Sequence, residues 1–216
     1  MQNTVTVEGY QLSPQQRRIW MLQQADGGRA YRVQCAILLN GPLDVATLKG
    51  AVSEVVNRHE ILRTGFHLLP GMTVPLQVIE SDRDAEFREV DVSDSGQGWI
   101  ERLFRMERSE NEEQEESRRD LPVRCCLVRR SATEGVLVVS LSAMCGDSRS
   151  LKNLFHEIVE RYQARQEAVS AATGTVVQYV DFAEWQRERL EESAEKDDRL
   201  DGQAERIADA TPPRLG

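Results

Sequence analysis

Long apolar runs are missing from this sequence. No stretch of its 216 residues approaches the roughly 20 apolar residues that a membrane span requires. The opening "MQNTVTVEGYQL" is neither a signal peptide nor an Arg-rich transit peptide. Excess positive charge is missing too: the net charge of -9 would repel both nucleic acid and anionic membrane, so neither is expected as a partner. No Gly-rich phosphate loop, internal repeat or metal constellation is present, and no cofactor is implied. The four cysteines, Cys35, Cys125, Cys126 and Cys145, lack zinc-ligand spacing. Neighbours such as Cys125 and Cys126 point to opposite faces of a strand. The expectation is reduced thiols in a cytoplasmic protein.

What is there describes a globular chain. With 40% hydrophobic and 29% charged residues, it is long enough for one well-buried domain or two small ones. "LSPQQRRIWMLQQA" places Ser13 as N-cap and Pro14 at the first position of a helix whose Ile19, Trp20 and Leu22 face a core. "YRVQCAILLN" reads as a strand closed by "NGP". "LDVATLKGAVSEVVNRHEILRT" reads as a long amphipathic helix opened by Asp44, passing into a strand near 61–67. Leu48, Ala51, Val52, Val55 and Val56 form its buried stripe. "VPLQVIE" and "FREVDVS" are short strand candidates, and "GWIERLFRM" a short helix. Residues 107–120 hold seven acids, three bases and no apolar residue, as a solvated helix end or disordered loop does. "LPVRCCLVRR" and "GVLVVSLS" form a hairpin. A polar linker, "EAVSAATGTV", then precedes the helical "VQYVDFAEWQRERLEE". Helices flanking a mixed sheet make an α/β layered sandwich of the α+β kind.

The stretch "VLVVSLSAMCGDSRSLKNLFHEI" joins an apolar strand to a helix with Leu151, Leu154, Phe155, Ile158, Val159 and Tyr162 at helical spacing. Strand-to-helix loops often carry catalytic groups. This one, "SAMCGDS", has no His, Lys or Glu.

Four segments, in order, resemble the N-terminal half of a condensation domain of nonribosomal peptide synthetases. They are "LSPQQRRIWML", "RHEILRTGF", "VVSLSAMCGDSRSL" and "YVDFAEWQ", the last against the family's Tyr-x-Asp-[Tyr/Phe]-Ala-x-Trp-Gln. The resemblance covers about residues 10–190, leaving a tail at 1–9, an acidic insert at 107–120 and a polar tail at 191–216. It implies one lobe of a chloramphenicol-acetyltransferase-like fold. Complete domains have two such lobes with a tunnel between them, served by carrier proteins at its mouths.

The resemblance also says what is missing. The family's central motif is His-His-x-x-x-Asp-Gly; alignment on Asp147 puts Ser142 and Ala143 at the histidines and Ser148 at the glycine. Neither residue offers a base of suitable pKa for general acid–base work. Cyclisation domains carry Asp-x-x-x-x-Asp-x-x-Ser, of which Asp147 and Ser150 remain while Ser142 replaces the first aspartate. No catalytic residue is therefore assigned, and the loop is expected to be a retained scaffold. In the family the aspartate pairs with an arginine of the second motif, here Arg63; the alternative is that Asp147 caps the following helix.

Other candidates are weaker. Cys145 with His156 could be a thiol and base, but His156 lies within a helix and no third group orients it. The family uses the position of His59 for packing and polar contacts, and His67 receives no role. Tyr179 and Trp185 are expected to anchor the last helix by burying aromatic area. Three functions follow: a non-catalytic platform for carrier proteins or tailoring enzymes, one piece of a split domain completed by a second condensation lobe, or an acyltransferase using Ser142 or Cys145. The greasy run of Ala143, Met144 and Cys145 suggests an interface there, with self-association or a pathway partner.

Overall fold

The computed structural model describes residues 8–26, 31–81, 83–93, 121–169 and 174–208, with the backbone alone for 194–208. The short helix expected at 98–106, the acidic insert at 107–120 and most of the 1–9 tail lie outside the described residues.

Two adjacent apolar strands anchor the molecule. Strand β5 (Val123–Arg129) and β6 (Glu134–Ser142) form the expected antiparallel hairpin. β1 (Arg32–Asn40) flanks β6 antiparallel, and β4 (Glu86–Asp91) flanks β5 in parallel. The result is a four-stranded mixed sheet of order β1-β6-β5-β4, beside a two-stranded sheet of β2 (Thr64–His67) and β3 (Leu76–Ile79). β5 and β6 are buried at nearly every position, Arg124, Ser140 and Ser142 included, and the valines, leucines and cysteines between them serve both faces. On one face Val123, Cys125, Leu127, Leu137, Val139 and Leu141 meet the helices. On the other, Cys126, Val128, Val136 and Val138 pack with Val90 and Val92, so the two adjacent cysteines do point to opposite faces.

Helix α2 (Val45–Arg58) is capped by Asp44, whose carboxylate accepts the N–H of Thr47 at 3.1 Å, and buries the stripe expected of it. It stops earlier than its sequence suggests. The "HEILR" that follows is an extended His59 and a 3-10 turn, Glu60–Arg63, leading into β2. The N–H of Glu60 is taken by the Gln178 side chain at 3.0 Å, a partner remote in sequence that no local pattern announces.

Helix α1 (Pro14–Ala25) opens with a capping box between Ser13 and Gln16. Its inner face carries Gln16 and Gln23, with Ile19 and Trp20 partly buried, whereas Leu22 is 48% exposed. The expectation that Leu22 faces the core is thus corrected. Gln16 takes one of the buried positions because its side chain has fixed partners, described below. Helix α3 (Ser148–Gln166) lays Leu151, Leu154, Phe155 and Ile158 on the sheet beside α2. Helix α4 (Tyr179–Ala208) continues past residue 190, into what composition alone assigns to a tail.

Candidate active-site cleft

The loop between β6 and α3 lines a cleft of about 690 Å³. α1 contributes Gln16 and Ile19, the α2 terminus His59, α3 Leu154 and Glu157, and the entry to α4 Gln178 and Tyr179. The loop is a tight turn. The Ser142 carbonyl accepts the N–H groups of Cys145 (2.8 Å) and Gly146 (3.2 Å), and the Ser142 hydroxyl accepts that of Met144 at 3.3 Å. A Cβ at Gly146 would stand 2.7 Å from both Leu141 Cδ2 and Ser150 Cβ, so glycine is needed for α3 to start this close to β6.

Gln16 pins the loop from the far side. Its amide nitrogen donates to the Met144 carbonyl at 3.1 Å and to Gln77 Oε1 at 2.9 Å, tying together α1, β3 and the loop. The Ser13 hydroxyl and the Tyr179 phenol lie 2.8 Å apart, which fixes the entry of α4 against the start of α1. Burial raises the Tyr179 phenol above its ordinary range.

Ser142 is buried, with its hydroxyl engaged as above, and Ala143 is half-buried on the cleft wall. Asp147 caps α3, accepting the backbone N–H of Ser150 at 2.8 Å and its hydroxyl at 2.9 Å; these bonds hold the carboxyl below the usual carboxylate range. Ser148 is exposed in the first turn of α3.

The pair expected between Arg63 and Asp147 is not formed. Arg63 donates to the Glu80 carbonyl at 3.4 Å and to Glu60 at 3.5 Å. Asp147 spends its acceptors on the helix N-terminus instead, which is the alternative weighed from the sequence. Nor is Met144 an exposed interface residue. It is 5% exposed, packed in the main core with Cys145, because the tight turn folds the greasy run inward. Burial pushes the Cys145 thiol up to about 12, while His156 stands exposed on α3. Tyr179 does help anchor α4, but Trp185 is 56% exposed: the helix buries Ala183 instead and leaves Tyr179, Phe182 and Trp185 as a ladder of neighbouring rings.

His59 faces Glu157, its Nε2 2.6 Å from Oε2. The other oxygen of Glu157 takes Arg58 at 2.9 Å and Arg161 at 3.3 Å. The one imidazole on the cleft wall is therefore anchored to a carboxylate through its Nε2. His67 is exposed and lies 3.2 Å from Glu80. Sequence inspection missed Gln16, Glu157 and Gln178. Gln16 was visible in the capping-box spacing; Glu157 was visible as an acid set between the buried Leu154 and Ile158, with Arg161 four residues on. Among the described residues no group of three or more His, Cys, Asp or Glu could hold a metal ion, and no helix is long and apolar enough to cross a membrane.

A mixed sheet layered by helices, with a strand–loop–helix turn facing a cleft, defines a lobe of the chloramphenicol-acetyltransferase-like class. The chain belongs to the condensation-domain family, whose profile, "Condensation domain", matches residues 7–200. It is 28% identical over 204 residues to an enniatin synthase of Fusarium equiseti, covering 93% of this chain and 6% of that one. It is 33% identical over 181 residues to an isonitrile lipopeptide synthase of Mycobacterium tuberculosis, covering 83% and 7%. The X-domain in its complex with OxyB from teicoplanin biosynthesis superposes with a TM-score of 0.72 at 26% identity, covering 99% of this chain and 46% of that one. The chain thus spans a few per cent of the curated relatives and just under half of the X-domain. It is the length of one N-terminal lobe.

Proposed function

We propose that this chain is a catalytically silent condensation-domain lobe that serves as a protein platform in nonribosomal peptide assembly. The observation that carries the proposal is the motif loop. Where the family places two histidines this chain has Ser142, its hydroxyl bonded into the turn, and Ala143, which cannot move a proton. Two described neighbours are poor substitutes for them. Cys145 is a buried thiol pushed up to about 12, far above the range in which thiolates form near neutral pH, and His59 is engaged by Glu157. A platform role agrees with the likeness to an X-domain, a protein whose complex with OxyB has been solved. Carrier proteins, tailoring enzymes and a second condensation lobe are the partner classes that fit.

The test is mass spectrometry of a donor and an acceptor carrier protein, each loaded with an aminoacyl group, incubated with the chain. Condensed product should not exceed the no-protein control, while pull-down of a pathway protein should succeed. Turnover that disappears in Ser142→Ala or Cys145→Ala would overturn the proposal in favour of an acyltransferase with altered chemistry.

A second reading has its own support. Because the chain covers 46% of the X-domain chain, a second lobe could complete the cleft wall that Ala143 and Phe182 line here. Turnover that appears only when a C-terminal lobe is added would favour it.

A further inference from the structure

β1 is an edge strand, and its free side is built for pairing. The register against β6 runs unbroken from Arg32 opposite Ser142 to Asn40 opposite Glu134. Just beyond each end, Ala143 N–H donates to the Tyr31 carbonyl and Gly41 N–H to the Thr133 carbonyl, both at 2.8 Å. In an antiparallel ladder, hydrogen-bonded pairs recur at every second residue. The odd-numbered residues of β1 therefore turn their backbone groups toward β6, and the even-numbered ones turn theirs outward. Among the described residues the outward groups of Gln34, Ala36 and Leu38 meet no backbone partner; a long 3.9 Å contact from the Cys35 thiol to the Ala36 carbonyl is what they receive.

Among the described residues the usual guards of a free edge are lacking. Native edges are blunted by proline, by charge (lysine above all), by bulges or by a covering element. β1 has no proline, one charge at its very end (Arg32) and no break in register over nine residues. Gln34, Cys35 and Ala36 are exposed, and Leu38 is 66% exposed. Cys35 projects from the helix-bearing face and is still exposed, so neither α2 nor α3 overhangs the middle of the edge.

We infer that this edge pairs with the same edge of a second copy of the chain. The outward residues 32, 34, 36, 38 and 40 are symmetric about Ala36, so a two-fold axis at Ala36 aligns every outward donor with an acceptor. Alanine at the axis lets the strands approach. This register sets Gln34 against Leu38 of the second copy and Arg32 against its Asn40. The sole charge of the strand then sits at opposite ends of the interface and never meets itself. The product is a continuous eight-stranded sheet in place of two bare four-stranded edges.

The test uses the 216-residue chain and light scattering after size exclusion. The unmodified chain should elute at twice its 24.5 kDa mass. Ala36→Lys and Ala36→Glu should each be monomeric, since like charges would face across the axis, and mixing the two should restore a dimer. Both substitutions lie at an exposed side chain, so folding should persist, with far-UV circular dichroism as the check. Ile37→Cys should cross-link under a mild oxidant to Cys35 of the second copy, its direct opposite in this register. A chain monomeric at every concentration would overturn the inference. So would a dimer indifferent to charge at residue 36, or an edge engaged only by a strand of another protein.

Discussion

A sulfur atom beside a cleft invites nucleophilic chemistry, and Cys145 is such an atom. Its surroundings withhold that chemistry: the thiol is buried, and desolvation alone drives it up to about 12. Cys125 is raised equally by burial in the sheet, Cys126 is buried on the other face, and Cys35 is exposed. Iodoacetamide at pH 8 should therefore label one thiol in the folded chain, Cys35, and four after unfolding in guanidinium, read as mass increments. Rapid native labelling of Cys145 would mean that the loop opens. Asp147 gives a second check at this scale. Its bonds to Ser150 make it a helix cap, so Asp147→Ala should cost about 1 kcal/mol. Since Arg63 bonds elsewhere, the cost should add to that of Arg63→Ala within about 0.5 kcal/mol in a double-mutant cycle. A coupling several times larger would restore the ion pair that the family resemblance implies.

Between elements, the least legible feature is the charged seam joining α2 to α3. Glu157 holds Arg58, His59 and Arg161, and Glu54 holds Arg161 and Arg165. Glu157→Ala would leave half-buried Arg58 and Arg161 short of a partner, so urea unfolding should show a loss of about 2 kcal/mol. Glu54→Ala sits at a more exposed point, where water screens the pair, and should cost well under 1 kcal/mol. The contrast between the two is the test; equal costs would show that the seam acts as one unit. The helices themselves were readable, because Asp44, Ser13 and the stripe of α2 obey local rules of capping and periodicity. So was the hairpin, because an apolar run buried on both faces has few alternatives. The end of α2 was not, since it depends on Gln178, more than a hundred residues away. For the same reason the burial of Met144 and the exposure of Leu22 and Trp185 escaped detection. Each is decided by which element arrives from elsewhere in the chain, and composition does not carry that information.

For the molecule as a whole, four described carboxyls are depressed together, and their sum predicts an acid limb. Hydrogen bonds from Thr47 lower Asp44, those from Ser93 lower Asp91, and those from Ser150 lower Asp147. Burial alone would raise Glu54, but the hydrogen bonds and charges of Arg165 and Arg161 outweigh it and carry that group down as well. A carboxyl depressed in the folded state binds fewer protons than its unfolded counterpart, so the unfolded chain gains protons first as acid is added. The stability these groups supply is therefore complete above the unfolded carboxylate range, about pH 4–4.5, and is lost as pH falls through the lower folded values. The four sites also separate by salt: the Glu54 contribution comes from exposed ion pairs and should shrink at 1 M salt, whereas the caps at Asp44 and Asp147 act through short backbone hydrogen bonds and should persist. Urea midpoints measured from pH 2 to 8, at low and high salt, decide this. A midpoint flat down to pH 3, or one that falls instead between pH 5 and 7, would show that these carboxylates do not set the acid stability of the fold.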